Sequence, residues 1–145
     1  MIGIGNSGRQ DDGLGWAFLD RIQKLDLPLA QLEYRYQLQI EDAALISEAK
    51  SVVFVDSFDG HLPDGYAWKR CEARSDVQFT SHVLLPEAVI YLCQNLYSTR
   101  PEAYVLMIQG KSWDLETGLS ETAQTNLEVA LSFFQQQVSN DPLPG

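Results

Sequence analysis

The sequence predicts a single α/β domain built on a mostly parallel sheet with helices on both faces. Short apolar runs that suit strands alternate with segments whose apolar residues recur at helical spacing. This alternation is typical of βαβ units. The 145 residues are enough for one hydrophobic core, and no repeat, low-complexity segment or linker divides them. We therefore expect residues 1–145 to form one domain with about five strands.

The first part of the chain contains three predicted strands and two predicted helices. An apolar stub at residues 1–4 precedes a glycine-rich loop, and apolar residues at helical spacing predict a helix over residues 13–24. Residues 32–38 alternate between apolar and polar side chains, as a half-exposed strand does. The alanine-rich segment 41–49 predicts a short helix. Residues 51–56 (Ser-Val-Val-Phe-Val-Asp) predict a central strand covered on both faces, which ends in a carboxylate.

The second part of the chain continues the alternation. A strand is predicted near residues 66–71, and a helix begins near residue 85 with Pro86 in its first turn, where proline is tolerated. Residues 103–109 predict another buried strand. Ser120 is the predicted N-cap of a last helix, whose apolar stripe is formed by Leu127, Ala130, Leu131, Phe134 and Val138.

Composition excludes several classes of partner. Ten basic and twenty acidic residues give a net charge of −10, which argues against binding to nucleic acid or to an anionic membrane. No apolar run approaches the roughly 20 residues that span a bilayer, and no signal peptide is recognisable. Cys71 and Cys93 are not spaced as a zinc or redox pair, and we expect both to pack as small apolar residues. A soluble cytoplasmic protein is the expectation.

The loop at residues 3–15 (GIGNSGRQDDGLG) carries five glycines and two adjacent carboxylates. Its spacing matches the Gly-x-Gly-x-x-Gly fingerprint of dinucleotide-binding domains, but that motif needs its last glycine where the helix opens. Here the helical pattern begins only near Gly13, and Asp11 and Asp12 occupy the place of the phosphate, which they would repel. A second interpretation makes Asp12 the N-cap of the helix, a position that aspartate favours.

Three potential metal ligands share one edge of the predicted sheet. Asp12 follows the first strand, Asp56 ends the third, and His82 precedes a helix on the return from the fourth. In such sheets ligands bind at the carboxyl ends of the strands. Mixed oxygen and nitrogen ligands suit borderline divalent metals such as Ni²⁺ and Zn²⁺, and three protein ligands leave a coordination position open, as in catalytic sites.

Each of these residues also has a structural interpretation. Asp56 could form a turn at the end of its strand, and His82 could simply belong to the loop that leads into the next helix. His61, on the loop after Asp56, competes for the histidine position. Spacing alone leaves these alternatives open.

The same segments resemble a known family. Residues 3–15 are similar to the opening motif of the hydrogenase maturation proteases, and residues 53–56 (Val-Phe-Val-Asp) to the hydrophobic strand of that family that ends in aspartate. Residues 80–82 (Thr-Ser-His) resemble its histidine segment, and residues 118–120 (Gly-Leu-Ser) the start of its last helix. The resemblance covers nearly the whole chain and implies a three-layer αβα fold of the phosphorylase/hydrolase-like type.

The resemblance also implies an activity. Members are endopeptidases that remove a C-terminal extension from the large-subunit precursor of nickel–iron hydrogenase after nickel insertion, so that precursor is the expected partner. Carried over to this sequence, Asp12, Asp56 and His82 are the catalytic and metal-binding positions, and nickel, supplied by the substrate, is the expected cofactor. Gly5 and Asn6 are expected to line the substrate cleft. The resemblance leaves open whether nickel is a Lewis acid or a recognition element.

Two points qualify the expected activity. A non-catalytic checkpoint or chaperone that binds the same nickel-loaded precursor would need the same residues, and this is the alternative function. Many members also carry Asp-Gly-Gly after the second strand, where this chain has Tyr36-Gln37-Leu38. Gln37 therefore takes a substrate-binding position that aspartate commonly holds, and this departure bears on which hydrogenase is the target.

Overall fold

The predicted elements are present in the computed structural model, which describes residues 1–25, 27, 31–74 and 84–144. A 3₁₀ segment, Ser7–Gly13, joins the first strand to the first helix. Over the described residues the strands are β1 (Ile2–Ile4), β2 (Glu33–Arg35), β3 (Ser51–Phe58), β4 (Tyr66–Arg70) and β5 (Glu102–Gln109), and the helices are α1 (Leu14–Lys24), α2 (Asp42–Ser47), α3 (Pro86–Tyr97) and α4 (Glu121–Asn140). None of these helices is both long and apolar enough to cross a membrane.

The sheet has the strand order β2-β1-β3-β5-β4. All neighbouring strands are parallel except β4, which runs antiparallel to β5 at one edge. Strand β3 is central, and residues 52–55 are buried, as expected for a strand that is covered on both faces. The carboxyl ends of β1, β2, β3 and β5 therefore meet at one edge, which confirms the predicted mostly parallel sheet.

Helices cover both faces and produce three layers. Because successive side chains of a strand point to opposite faces, Val53 and Val55 of β3 pack with α1 and α4, whereas Val52 and Phe54 pack on the other face with residues of α2 and α3. Each face holds its own apolar cluster. The αβα arrangement that the resemblance implied is confirmed.

Two strand boundaries differ from the sequence predictions. β2 spans only Glu33–Arg35, because the chain turns away at Tyr36, whose ring packs on Trp16 with centroids 5.1 Å apart. β3 continues two residues past Asp56, because its pairing with β5 extends to Phe58. Asp56 therefore lies inside the strand near its carboxyl end.

The predicted starts of two helices are confirmed. Pro86 occupies the first turn of α3. Ser120 is the N-cap of α4, and its hydroxyl oxygen accepts a hydrogen bond of 3.1 Å from the amide of Ala123.

Candidate active site

A cleft of about 410 Å³ opens at the carboxyl edge of the sheet. The 3₁₀ segment after β1, the end of β3 and the loop after β5 contribute its walls. Three carboxylates, one cation, one hydroxyl and two aromatic rings line it: Asp12, Asp56, Asp59, Arg9, Ser57, Phe58 and Trp113. Two of the three residues predicted to form the site, Asp12 and Asp56, are therefore brought together.

Asp12 belongs to the 3₁₀ segment and faces the cleft. Helix α1 has Gly13 as its N-cap, with no capping bond from a side chain, so the alternative that Asp12 caps this helix is wrong. The Asp12 carboxylate instead accepts a long hydrogen bond of 3.4 Å from the hydroxyl of Ser57. The Asp12 carbonyl accepts a 3.0 Å hydrogen bond from the amide of Asn6, which closes the loop.

That loop closure depends on Gly5. Gly5 has φ +144°, and a Cβ atom there would lie 1.9 Å from the Asp12 carbonyl oxygen, so only glycine fits. The side-chain oxygen of Asn6 accepts a 2.9 Å hydrogen bond from the amide of Gly8. Gly5 and Asn6 thus shape the loop that carries Asp12, and neither is among the residues that line the cleft.

The Asp56 carboxyl has a strongly raised pKa. Burial raises its pKa from 3.8 to about 7; a 2.8 Å hydrogen bond from the amide of Ser57 acts in the opposite direction, and the negative charge of Asp12 adds to the increase. A carboxyl group with this pKa can hold or release a proton near neutral pH.

The histidine position stays a prediction, because His82 lies outside the described residues. His61 is described, but it lies in an exposed loop and does not line the cleft. Within residues 1–25, 27, 31–74 and 84–144, no group of three or more His, Cys, Asp or Glu side chains is arranged to hold a metal ion. Asp12 and Asp56 could thus supply two oxygen ligands. Gln37 is exposed and follows the carboxyl end of β2, on the cleft edge of the sheet.

The adjacent Asp11 has a role that sequence reasoning missed. It is fully buried, and its carboxylate accepts hydrogen bonds from the amides of Lys111, Ser112 and Ser120, at 2.7, 2.9 and 2.8 Å, and from the Ser120 hydroxyl, at 2.6 Å. Burial acts to raise the pKa of Asp11, but these hydrogen bonds outweigh it and lower the pKa. Asp11 therefore joins the β5–α4 loop to the 3₁₀ segment.

The same two loops are joined again at Gln10, whose φ of 48° is unfavourable for a residue with a side chain. Its amide donates to the carbonyl of Glu116 at 2.9 Å, and its side chain bonds the Glu116 carboxylate, at 2.9 Å, and the Asp114 amide, at 3.0 Å. The ring of Trp113 packs over Gly110, where a Cβ atom would be 2.9 Å from it. These contacts set Arg9 and Trp113 as walls of the cleft.

At the level of sequence, neither a protein-family model nor a curated protein matches the chain. At the level of structure, it is similar to the [NiFe] hydrogenase maturation protease HycI from Thermococcus kodakarensis, with a TM-score of 0.72 and 20% identity over 96% of this chain and 90% of that one. It is also similar to HybD, the hydrogenase maturating endopeptidase from E. coli, with a TM-score of 0.70 and 13% identity over 96% of this chain and 90% of that one. For the hydrogenase 2 maturation peptidase from a Thaumarchaeota archaeon, the TM-score is 0.66 and the identity 20%, over 94% of this chain and 95% of that one.

The chain has the fold of the hydrogenase maturation proteases. The likeness spans nearly the full length of each partner. At these sequence identities the likeness shows the fold alone. Any conclusion about chemistry depends on the residues that line the cleft.

Proposed function

We propose that the chain is a cytoplasmic endopeptidase that removes the C-terminal extension from the large-subunit precursor of nickel–iron hydrogenase after nickel insertion. The single observation that carries the proposal is the pairing of Asp12 and Asp56 in one cleft at the carboxyl edge of the sheet. The fold supports it, since similar structures include hydrogenase maturation peptidases that align with more than nine-tenths of this chain.

The donor atoms of the cleft fit a divalent ion. Asp12 and Asp56 bring two negative charges together, and the effect of Asp12 on the pKa of Asp56 reflects their repulsion. A bound cation would relieve that repulsion. We propose that Asp12, Asp56 and His82 hold nickel delivered by the precursor, where it would act as a Lewis acid on the scissile carbonyl or as the sign that insertion is complete.

The chain's own residues can hold and release a proton at the cleft. Asp56, with a pKa of about 7 in the free cleft, holds a proton near neutral pH that it would release on binding a cation. Ser57 orients both carboxyl groups, because its amide donates to Asp56 and its hydroxyl to Asp12. Phe58 and Trp113 give the cleft two aromatic walls beside this pair.

The cysteines do not supply an alternative nucleophile. Both Cys71 and Cys93 are buried and free. Burial, with Glu87 and Glu72 adding to it, raises the pKa of the Cys71 thiol to about 12, so the reactive thiolate is scarce at neutral pH.

A gel assay with purified nickel-loaded precursor tests the proposal. The wild-type protein should shorten the large subunit, and Asp12→Asn should abolish the shortening, because that substitution removes one carboxylate of the pair. Asp64→Asn, in an exposed turn after β3, is the matched control and should cleave normally. Cleavage of metal-free precursor in chelator would refute the role of nickel. A stable complex without any shortening would refute peptidase activity and favour the checkpoint alternative.

A further inference from the structure

Arg9 is the one cationic side chain among the described residues that line the cleft, where it stands with Asp12, Asp56 and Asp59. None of its nitrogen atoms lies within 4.0 Å of a described carboxylate oxygen. Arg21, Arg35 and Arg70, in contrast, each pair with a carboxylate of the chain. Within the described part of the chain, the Arg9 guanidinium thus has no acidic partner of its own.

The backbone that presents Arg9 is held in an unusual conformation. Arg9 has φ −126° and ψ 50°, and Gln10 has φ 48° and ψ −115°, so the 3₁₀ segment is broken at this point. Such a conformation persists only where surrounding contacts impose it. Here the hydrogen bonds of Gln10 to Asp114 and Glu116 impose it. The packing of these two loops therefore fixes the position of the Arg9 backbone at the cleft.

We propose that Arg9 binds a carboxylate of the peptide segment that enters the cleft, and this inference rests on the proposed peptidase function. The three aspartates of the cleft repel an anionic group, so a substrate carboxylate is favoured only beside the guanidinium, which can bind it through two parallel hydrogen bonds. This would set the register of the extension relative to Asp12 and Asp56. The carboxylate belongs either to an acidic side chain or to the C-terminus of the precursor.

Arg9 is a specificity-determining residue in this proposal. Its nitrogen atoms are more than 4.0 Å from the carboxylate oxygens of Asp12 and Asp56, so it is not ion-paired with either carboxylate of the proposed catalytic pair. Loss of its contact with the substrate weakens binding of substrate and transition state alike. Such a loss raises KM and leaves kcat nearly unchanged.

The test combines charge-reversal substitutions in the protein with charge-reversal substitutions in the precursor. Nickel-loaded precursor is prepared in its natural form, with acidic residues of the extension changed singly to Gln or to Lys, and with two glycines appended to displace the terminal carboxylate. Each form is incubated with wild-type protein, Arg9→Glu and Arg9→Lys. Arg100→Glu is the matched control, because Arg100 is exposed just before β5, at the amino edge of the sheet. Both cleavage and the equilibrium binding of precursor are measured.

Arg9→Glu should raise KM about tenfold with kcat within about twofold, as expected for one lost charge-assisted contact. Arg9→Lys should retain only part of the binding, because it keeps the charge but loses the paired hydrogen bonds, and Arg100→Glu should retain all of it. A Lys at the contacted position should restore cleavage by Arg9→Glu. Restoration by a side-chain substitution identifies an acidic residue as the ligand, whereas loss of binding with the appended glycines identifies the terminus.

The outcomes separate this inference from the proposed function. If wild-type protein cleaves and Arg9→Glu behaves as Arg100→Glu with every precursor, the carboxylate contact is refuted and the peptidase function stands. A decrease in kcat alone, without restoration by any Lys precursor, also refutes it. If wild-type protein binds the precursor through Arg9 without cleaving it, peptidase activity is refuted and the contact stands. Absence of both binding and cleavage refutes both.

Discussion

Replacement of Asp56 by Asn should stabilise the protein at alkaline pH, although the same change should abolish its proposed activity. The Asp56 carboxyl is mostly buried, and its pKa rises from 3.8 to about 7 because burial, and to a lesser degree the charge of Asp12, disfavour the ionised form. An Asn side chain keeps an oxygen that can accept the hydrogen bond of the Ser57 amide, and it carries no charge. The variant therefore avoids the cost of an ionised group in the cleft.

The sign and size follow from the proton affinities of the folded and unfolded states. The folded protein binds the Asp56 proton more tightly than the unfolded chain does, so this group contributes stability below pH 3.8 that is lost as the pH rises to about 7. Each tenfold difference in proton affinity is worth about 1.4 kcal/mol, so the full loss is at most about 4 kcal/mol. Local relaxation and water at the open cleft reduce it to about 2 kcal/mol.

The assay is urea unfolding of wild-type protein and Asp56→Asn at pH 4, 6 and 8. At pH 8 the free energy of unfolding of the variant should exceed that of wild type by about 2 kcal/mol, or about 4–8 °C in Tm. The difference should shrink towards pH 4, where the wild-type carboxyl is protonated in the folded state and already about 40% protonated in the unfolded state. Asp64→Asn, at an exposed position, is the matched control for the loss of one carboxyl group. An Asp56→Asn variant that is less stable than wild type at pH 8, or equally shifted at pH 4 and 8, would refute the reasoning.

Three further predictions concern other residues. Asp11→Asn should lower the free energy of unfolding by about 2–4 kcal/mol, because an NH₂ donor replaces a buried carboxylate oxygen that accepts hydrogen bonds. Because the folded protein lowers the pKa of Asp11, wild type loses this stability as the pH falls below about 4. Urea unfolding should therefore show a smaller difference between variant and wild type at low pH. Cys71→Ser and Cys93→Ser should each cost about 1–2 kcal/mol for a buried hydroxyl yet leave specific activity largely intact, whereas loss of cleavage in a folded variant would favour a thiol nucleophile. His82→Ala should weaken binding of nickel-loaded precursor together with cleavage, and a pull-down in which binding is unchanged would contradict its proposed ligand role.

Much of the fold follows from local patterns in the sequence. Strands and helices differ in the period of their apolar residues, so the order of elements and the central position of β3 could be predicted. Ser120 could be identified as an N-cap because capping depends on neighbouring residues only. Even the meeting of Asp12 and Asp56 was predictable, since parallel strands bring their carboxyl ends to one edge.

Tertiary structure alone decides which of the two adjacent aspartates is buried and which faces the cleft. Asp11 and Asp12 are identical side chains in the same glycine-rich loop, and nothing in their local sequence separates them. Asp11 is buried because residues about 100 positions later, Lys111, Ser112 and Ser120, surround its carboxylate with donors. Asp12 faces the cleft because the loop closes beneath it.

The same reason explains why Arg9 and Trp113 were not predicted as parts of the site. The strained turn at Gln10 is held by the loop after β5, and a Cβ atom at Gly110 in that loop would lie 2.7 Å from the Asp11 Cβ in the loop after β1. By itself, the sequence determined the order of the elements and which edge of the sheet carries the paired aspartates, since those depend on local periodicity and chain direction. Which side chains are buried and which face the substrate depends on contacts between distant segments, and only the folded chain decides that.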